Sequence, residues 1–337
     1  MSGREVASGS SASGGTSNYV CCWRMIILAC VAFNTVMTLR SLPSFRPDPT
    51  LPLQSSPRTK PARFWKYYHT YRYVTPASRQ DVVVPMPARA CGAAPDYAQW
   101  FEQGQMERSR NQEDKIIYET LFKDHPNISG TYLELGAFNG KQESNSRFFD
   151  ECLGWKGLLI EGNPENYQLT VGHRPFAHRM SLAPSCSAEY EAVNKTIQFY
   201  RYPITNVGLV GHALSYDGKP VVDVPCGPLA PILADVFAAD THNRDRPTLD
   251  FFSLDVEGAE ALVLSTIDFH AVRINVLMIE ISNNHCNDSE CKVRRQVRAK
   301  MSAEGYLRYE GLVKQSDVYV HRESMFQIPE VVAKPKD

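Results

Sequence analysis

The chain has 337 residues, of which 43% are hydrophobic and 22% charged, and its formal net charge is -1. That length leaves room for one or two packed domains, and the near balance of 36 Lys+Arg against 37 Asp+Glu excludes the polycationic surface that nucleic-acid binding uses. Nine cysteines without paired C-x-x-C spacing argue against a structural zinc knuckle, whereas Cys286 and Cys291 are close enough to close a small disulfide loop in an oxidising compartment.

Residues 1–18 are rich in Ser and Gly and read as a disordered tail. Residues 19–40 contain "MIILACVAFNTVMTL", bounded by Arg24 and Arg40 and apolar on every face. This reads as a single-pass transmembrane signal-anchor, preferred over a cleaved signal peptide because no small-x-small site follows it. A short tail before the span and a large domain after it make a type II arrangement the expectation, with the domain in the lumen of the endoplasmic reticulum or Golgi. Three N-x-S/T triplets, at Asn127, Asn194 and Asn287, would then be glycosylation acceptors. Residues 41–108 are rich in proline and basic residues around an aromatic island, "RFWKYYHTYRY", and read as a stem or linker.

From 109 to 325 strand and helix patterns alternate, and 326–337 reads as a tail. "NQEDKIIYETLF", "SNSRFFDECLG", "PENYQLTVG", "AEALVLSTI" and "SECKVRRQVRAKMSAEG" are the main helical patterns; "TYLEL", "GLLIE", "AHRMSLAP", "LDFFSLD" and "INVLMIEIS" are apolar strand patterns. Apolar strands separated by helices predict an α/β fold with a doubly wound, mostly parallel sheet. "YLRYEGL" and "SDVYVHR" add an antiparallel pair at one edge.

Ligands of such sheets bind at the carboxyl ends of the strands, and three strands carry acids there. Glu134 lies in "YLELGAFNG", whose glycine turn holds Gly136, Ala137, Phe138, Asn139 and Gly140. Glu161 follows about 20 residues later, with Gly162 and Asn163 behind it, at the separation expected of an acid that holds both hydroxyls of a ribose. Asp255 ends "DFFSLD", and Glu257 and Glu260 follow, placed by their spacing on the first turn of a helix. Carboxylates repel a diphosphate and attract a cation, so this crevice suits S-adenosyl-L-methionine better than NAD.

"YLELGAFNGKQESNSRFF", "GLLIEGNPENY" and "DFFSLDVEGAEALVL", in this order, resemble the FkbM-type methyltransferase family, whose D-V-E-G-x-E signature is intact at Asp255, Val256, Glu257, Gly258, Ala259 and Glu260. The wording of the first two is most similar to eukaryotic members that include the Star protein group, which are membrane-anchored. The resemblance implies a class I methyltransferase (Rossmann-like) fold and cofactor contacts at Glu134, Gly136, Gly140, Glu161 and Asp255. It also implies O-methylation of a hydroxyl on a sugar, a glycan or a small hydroxylated acceptor. Asp255 and Glu257 are the candidate catalytic residues, with His212 or His285 as substitutes, and Glu260 reads as structural. No metal set stands out. "SLAPSC" stands where the family often has an acid near the adenine. The competing expectation is a catalytically silent, Star-like membrane protein that serves secretory-pathway trafficking or cargo export. Oligomeric state is not legible in the sequence.

Overall fold

The computed structural model describes residues 62–78, 100–101, 109–202, 207–211, 218–238, 246–282 and 291–336, all within one compact unit, Thr59–Asp337. The expected tail at 1–18, the expected anchor, Asn287, Cys286, His212 and His285 lie outside the described residues. Among the described residues no helix is long and apolar enough to cross a membrane.

In chain order the elements are α1 (Ala62–His69), α2 (Glu113–Ile117), β1 (Thr131–Leu135), α3 (Arg147–Glu151), β2 (Lys156–Glu161), α4 (Pro164–His173), β3 (His178–Ser181) and α5 (Ala188–Asn194). They continue with β4 (Thr196–Tyr200), β5 (Val221–Pro225), α6 (Ala230–Phe237), β6 (Thr248–Leu254), α7 (Glu260–Ser265), β7 (Arg273–Glu280), α8 (Lys292–Ala303), β8 (Tyr306–Val313) and β9 (Ser316–His321). A seven-stranded sheet runs in the order β3-β2-β1-β6-β7-β9-β8. Its first five strands are parallel, and β9 inserts antiparallel between β7 and β8. This is the mostly parallel sheet with an antiparallel edge that the alternating pattern predicts, and the Rossmann-like architecture that the resemblance implies.

Continuous apolar runs make these strands because helices cover both faces, so adjacent residues are buried on opposite sides. Leu133, Leu158, Ile160, Phe252 and Leu277 pack with Leu233 and Phe237 of α6 and with Val297 and Met301 of α8. Their neighbours Tyr132, Leu159, Phe251 and Val276 pack the other way, onto Phe122, Phe148, Phe149 and Trp155. Each such side chain contributes about 1.5–3 kcal/mol on burial.

Two features frame the β3 side of the sheet. Residues 62–78, within the expected stem, lie along β3. Val74 bridges to Arg179, the N–H of Ser181 donates to the Tyr71 carbonyl at 2.8 Å, and Tyr67, Tyr71 and Tyr73 are buried. An otherwise open sheet edge is thereby covered. On the same side β4 and β5 form a separate antiparallel pair, tied to the chain after β3 by the disulfide Cys186–Cys226, whose Cα atoms are 5.6 Å apart. Cys152 and Cys291 are disulfide-bonded as well; the expected Cys286 partner of Cys291 lies outside the described residues.

Candidate functional site

The order of the sheet reverses between β1, whose chain continues to β2, and β6, whose chain continues to β7. At such a switch point the connections leave in opposite directions and open a crevice past the strand ends. A cleft of about 1310 Å³, open mouth included, lies there, lined by the residues that follow β1, β2, β3, β6 and β7 and by the turn before β9.

Glu134, Glu161 and Asp255 all line this cleft, so the three acids expected at strand ends share one hollow. Their surroundings differ. Glu134 is buried, and its carboxylate accepts from Ser144 Oγ at 2.7 Å, Ser146 Oγ at 2.6 Å and the Asn145 N–H at 2.8 Å. Arg174, fully buried, stands 3.8 Å from it and binds Asp150 at 2.8 Å, the Tyr132 hydroxyl at 2.8 Å and the Gly140 carbonyl at 3.1 Å. Glu134 was expected to lend negative charge to a cationic ligand. From the wall of the cleft its carboxylate also fixes the 144–146 turn.

Glu161 is different. Each of its oxygens accepts one backbone N–H, from Phe138 and from Asn163, both at 2.7 Å. A carboxylate has about four acceptor positions, so each oxygen retains capacity for a further donor. Burial pushes its pKa up to about 8, against the two backbone hydrogen bonds, with Asp255 and Glu134 adding to the rise.

The glycine turn serves the sheet as much as the crevice. Gly136 has φ +84°, and a Cβ there would meet the Asp255 carbonyl oxygen at 1.7 Å. Its close approach is therefore to the end of β6. Gly136, Ala137 and Phe138 line the cleft, as does Gly162. Asn139, Gly140 and Asn163 fall outside the lining. Asn139 Oδ1 accepts the N–H groups of Lys141 and Gln142, Gly140 packs against Arg174 and Thr170, and Asn163 caps α4.

After β6 the chain makes a turn before α7 starts. Glu257 has φ 58° and sits in that turn, outside the helix on which its spacing placed it. Glu260, the first residue of α7, turns its Oε1 back to accept the N–H groups of Val256 and Gly258, both at 3.1 Å. Through these backbone groups it holds the turn. Asp255 and Glu257 line the cleft.

The sequence reading missed Glu280. It ends β7 beside Asp255, since Leu254 and Ile279 are register partners, and its carboxyl is hydrogen-bonded to Asp255. Burial, followed by Asp255, Glu257 and Glu260, holds its pKa far above the usual carboxylate range, so the pair retains a proton. One oxygen each of Asp255, Glu260 and Glu280 lies within 4.8 Å of the others, the one grouping among the described residues with the spacing to hold a cation. An acid at the end of an apolar strand is visible in "INVLMIEIS"; that it faces Asp255 needs the strand register.

No curated protein matches the chain in a sequence comparison. Residues 134–308, from the acid of β1 into β8, match the family described as the methyltransferase FkbM domain, and the chain belongs to that family.

Proposed function

We propose that this methyltransferase uses S-adenosyl-L-methionine to methylate a hydroxyl oxygen of a sugar, a glycan or a small hydroxylated acceptor. The observation that carries the reading is Glu161. It is a buried acid at the end of β2, held by two backbone N–H groups, with acceptor capacity left on both oxygens for a pair of neighbouring hydroxyls. The fit extends across the cleft, where Asp255, Glu257 and Glu280 set acidic groups past β6 and β7 and Leu182, Ala183 and Val207 make an apolar wall past β3.

The donor supplies a methyl group on a positively charged sulfur. Glu161 holds and orients the donor's ribose, and alignment of the reacting atoms supplies most of the acceleration in such a displacement. Asp255 takes the proton that leaves the acceptor hydroxyl, while its hydrogen bond with Glu280 holds the receiving carboxyl in place. Glu257 borders the same region.

The domain works in an oxidising compartment, a reading supported by the Cys186–Cys226 disulfide and by the exposed sequon residues Asn127 and Asn194. A type II anchor at 19–40 would place it in the lumen of the endoplasmic reticulum or Golgi. Calorimetry of the purified chain with S-adenosyl-L-methionine and with its demethylated product tests the donor. Binding of both is expected, and binding of neither ends the reading. Transfer of a labelled methyl group to a panel of glycans and small hydroxylated compounds then tests the acceptor class.

A further inference from the structure

We infer that Phe199, carried by the inserted β4–β5 sheet, is the stacking partner of a planar heteroaromatic base held in the cleft. The inference rests on the donor reading above, whose ligand carries adenine.

Position argues first. Gly162 directly follows Glu161, and a Cβ on it would stand 2.5 Å from Phe199 Cε1 and 2.7 Å from its Cζ. The ring therefore lies over the backbone just past the acid assigned to the ribose. A nucleoside whose diol is held at the end of β2 extends its base toward β3, away from the acidic ends of β6 and β7. Phe199 lines that side of the cleft, together with Leu182, Ala183, Pro184 and Leu209.

Chemistry argues second. Among the described residues, no carboxylate of the cleft lining follows β3, where the chain reads Leu182, Ala183, Pro184, Ser185. The described residues there form an apolar slot with one ring, which favours stacking, strong and tolerant of base identity. A Gly at 162 fits the same purpose, because any side chain would displace the ring.

Fixity argues third. Asn163 Nδ2 donates to the carbonyls of Tyr200 and Tyr202 at 3.4 and 3.0 Å, so the residue that caps α4 also holds the strand bearing Phe199. The Ala183 N–H donates to the Pro225 carbonyl at 2.9 Å and the Cys226 N–H to the Lys195 carbonyl at 3.0 Å. The Cys186–Cys226 disulfide joins the wall after β3 to the end of β5. Phe199 packs beside Ile197 and Val222 on the small core of Ala183, Cys186, Val224 and Cys226. The ring is set before a ligand arrives, which lowers the ordering cost of binding.

The test uses S-adenosylhomocysteine and adenosine as probes of the full chain. Phe199→Leu keeps an apolar side chain without a ring and is expected to weaken both ligands at least about fivefold, with the thermal midpoint unchanged. Phe199→Trp is expected to retain binding and to show ligand-dependent quenching beyond that of the wild type, a readout that needs no turnover and no destabilised variant. If the wild type binds S-adenosylhomocysteine while Phe199→Leu binds it equally and the new Trp emission does not move, the inference is overturned and the donor reading stands. If the wild type binds neither probe, the donor reading fails and takes the inference with it.

Discussion

Asp255 and Glu280 end adjacent parallel strands side by side, and a hydrogen bond joins their carboxyls. Two acids in contact cannot both ionise cheaply, so one keeps its proton. The pair shares a proton and presents a single negative charge to the cleft.

This pairing predicts an inverted pH dependence for one substitution. A carboxyl whose pKa is raised by folding binds a proton that the unfolded chain releases near pH 4–5. Its stabilising contribution is therefore full below that range and is lost as pH rises toward the folded pKa. Glu280→Gln cannot ionise and still donates to Asp255. It should melt close to the wild type at pH 5 and above it at pH 8.5, by about 2–4 °C for each kcal/mol recovered. Equal melting at both pH values would show that Glu280 carries no retained proton.

Glu161 makes a second pH prediction. Its pKa of about 8 in the ligand-free fold means that it is largely protonated at neutral pH, whereas two ribose hydroxyls and a cationic sulfur favour the ionised form. Binding of the donor should release a proton below pH 8, and affinity should rise by up to about tenfold per pH unit toward 8 and then level off. Calorimetry in buffers of different ionisation enthalpy measures the released proton directly. Glu161→Gln should lose both the release and the slope, and bind about 1.5–3 kcal/mol more weakly.

The parts of this molecule that were legible in the sequence are those written in local patterns. Apolar runs such as "DFFSLD" announce strands covered on both faces, and Glu161 announces itself by its distance from the glycine turn. What could not be read depends on pairing between distant segments. Glu280 is an ordinary strand-end acid until register places it beside Asp255. Arg174 is one arginine after a helix until folding encloses it. Cys186 and Cys226, separated by 40 residues, carry no spacing signal. Glu134 was legible as a strand-end acid, but the serines that occupy it come from the 144–146 turn, so its structural employment was hidden. Glu257 was misplaced because periodicity extends a helix through a turn that the positive φ of Glu257 and Gly258 breaks, whereas Glu260 lies on the first turn of α7 as its spacing predicts.

Arg174 offers a test of that hidden network. It is fully buried with a salt bridge to Asp150 and four further polar partners among Tyr132, Gly140, Ser144 and Ser146. Removing one member of a buried ion pair leaves the other charge uncompensated, at a cost of about 3–5 kcal/mol. Arg174→Met should lose stability on that scale in chemical denaturation. Arg174→Met combined with Asp150→Asn should recover part of it, because the nearer of the two carboxylates that Arg174 faces is then neutral. An additive double variant would show that the two residues do not act as a pair.

The segment along β3 yields the last prediction. Tyr67, Tyr71 and Tyr73 are buried in the same core as Leu158, Met180 and Leu182. The hydroxyl of Tyr67 donates to Asp235 at 2.8 Å and that of Tyr71 to Glu191 at 2.5 Å. A segment fastened in this way belongs to the domain's stability, since it covers apolar side chains and occupies the edge of β3 together. Tyr67→Ala and Tyr71→Ala should each cost about 3–5 kcal/mol, the range for removing a large buried ring. A chain shortened to begin at residue 59, which keeps the whole described unit, is the reference. One shortened to begin at residue 79 should melt far lower and bind a dye that reports exposed apolar surface. Were the shorter chain to melt like the longer one without binding dye, the segment would be a passenger on the sheet and not a part of it.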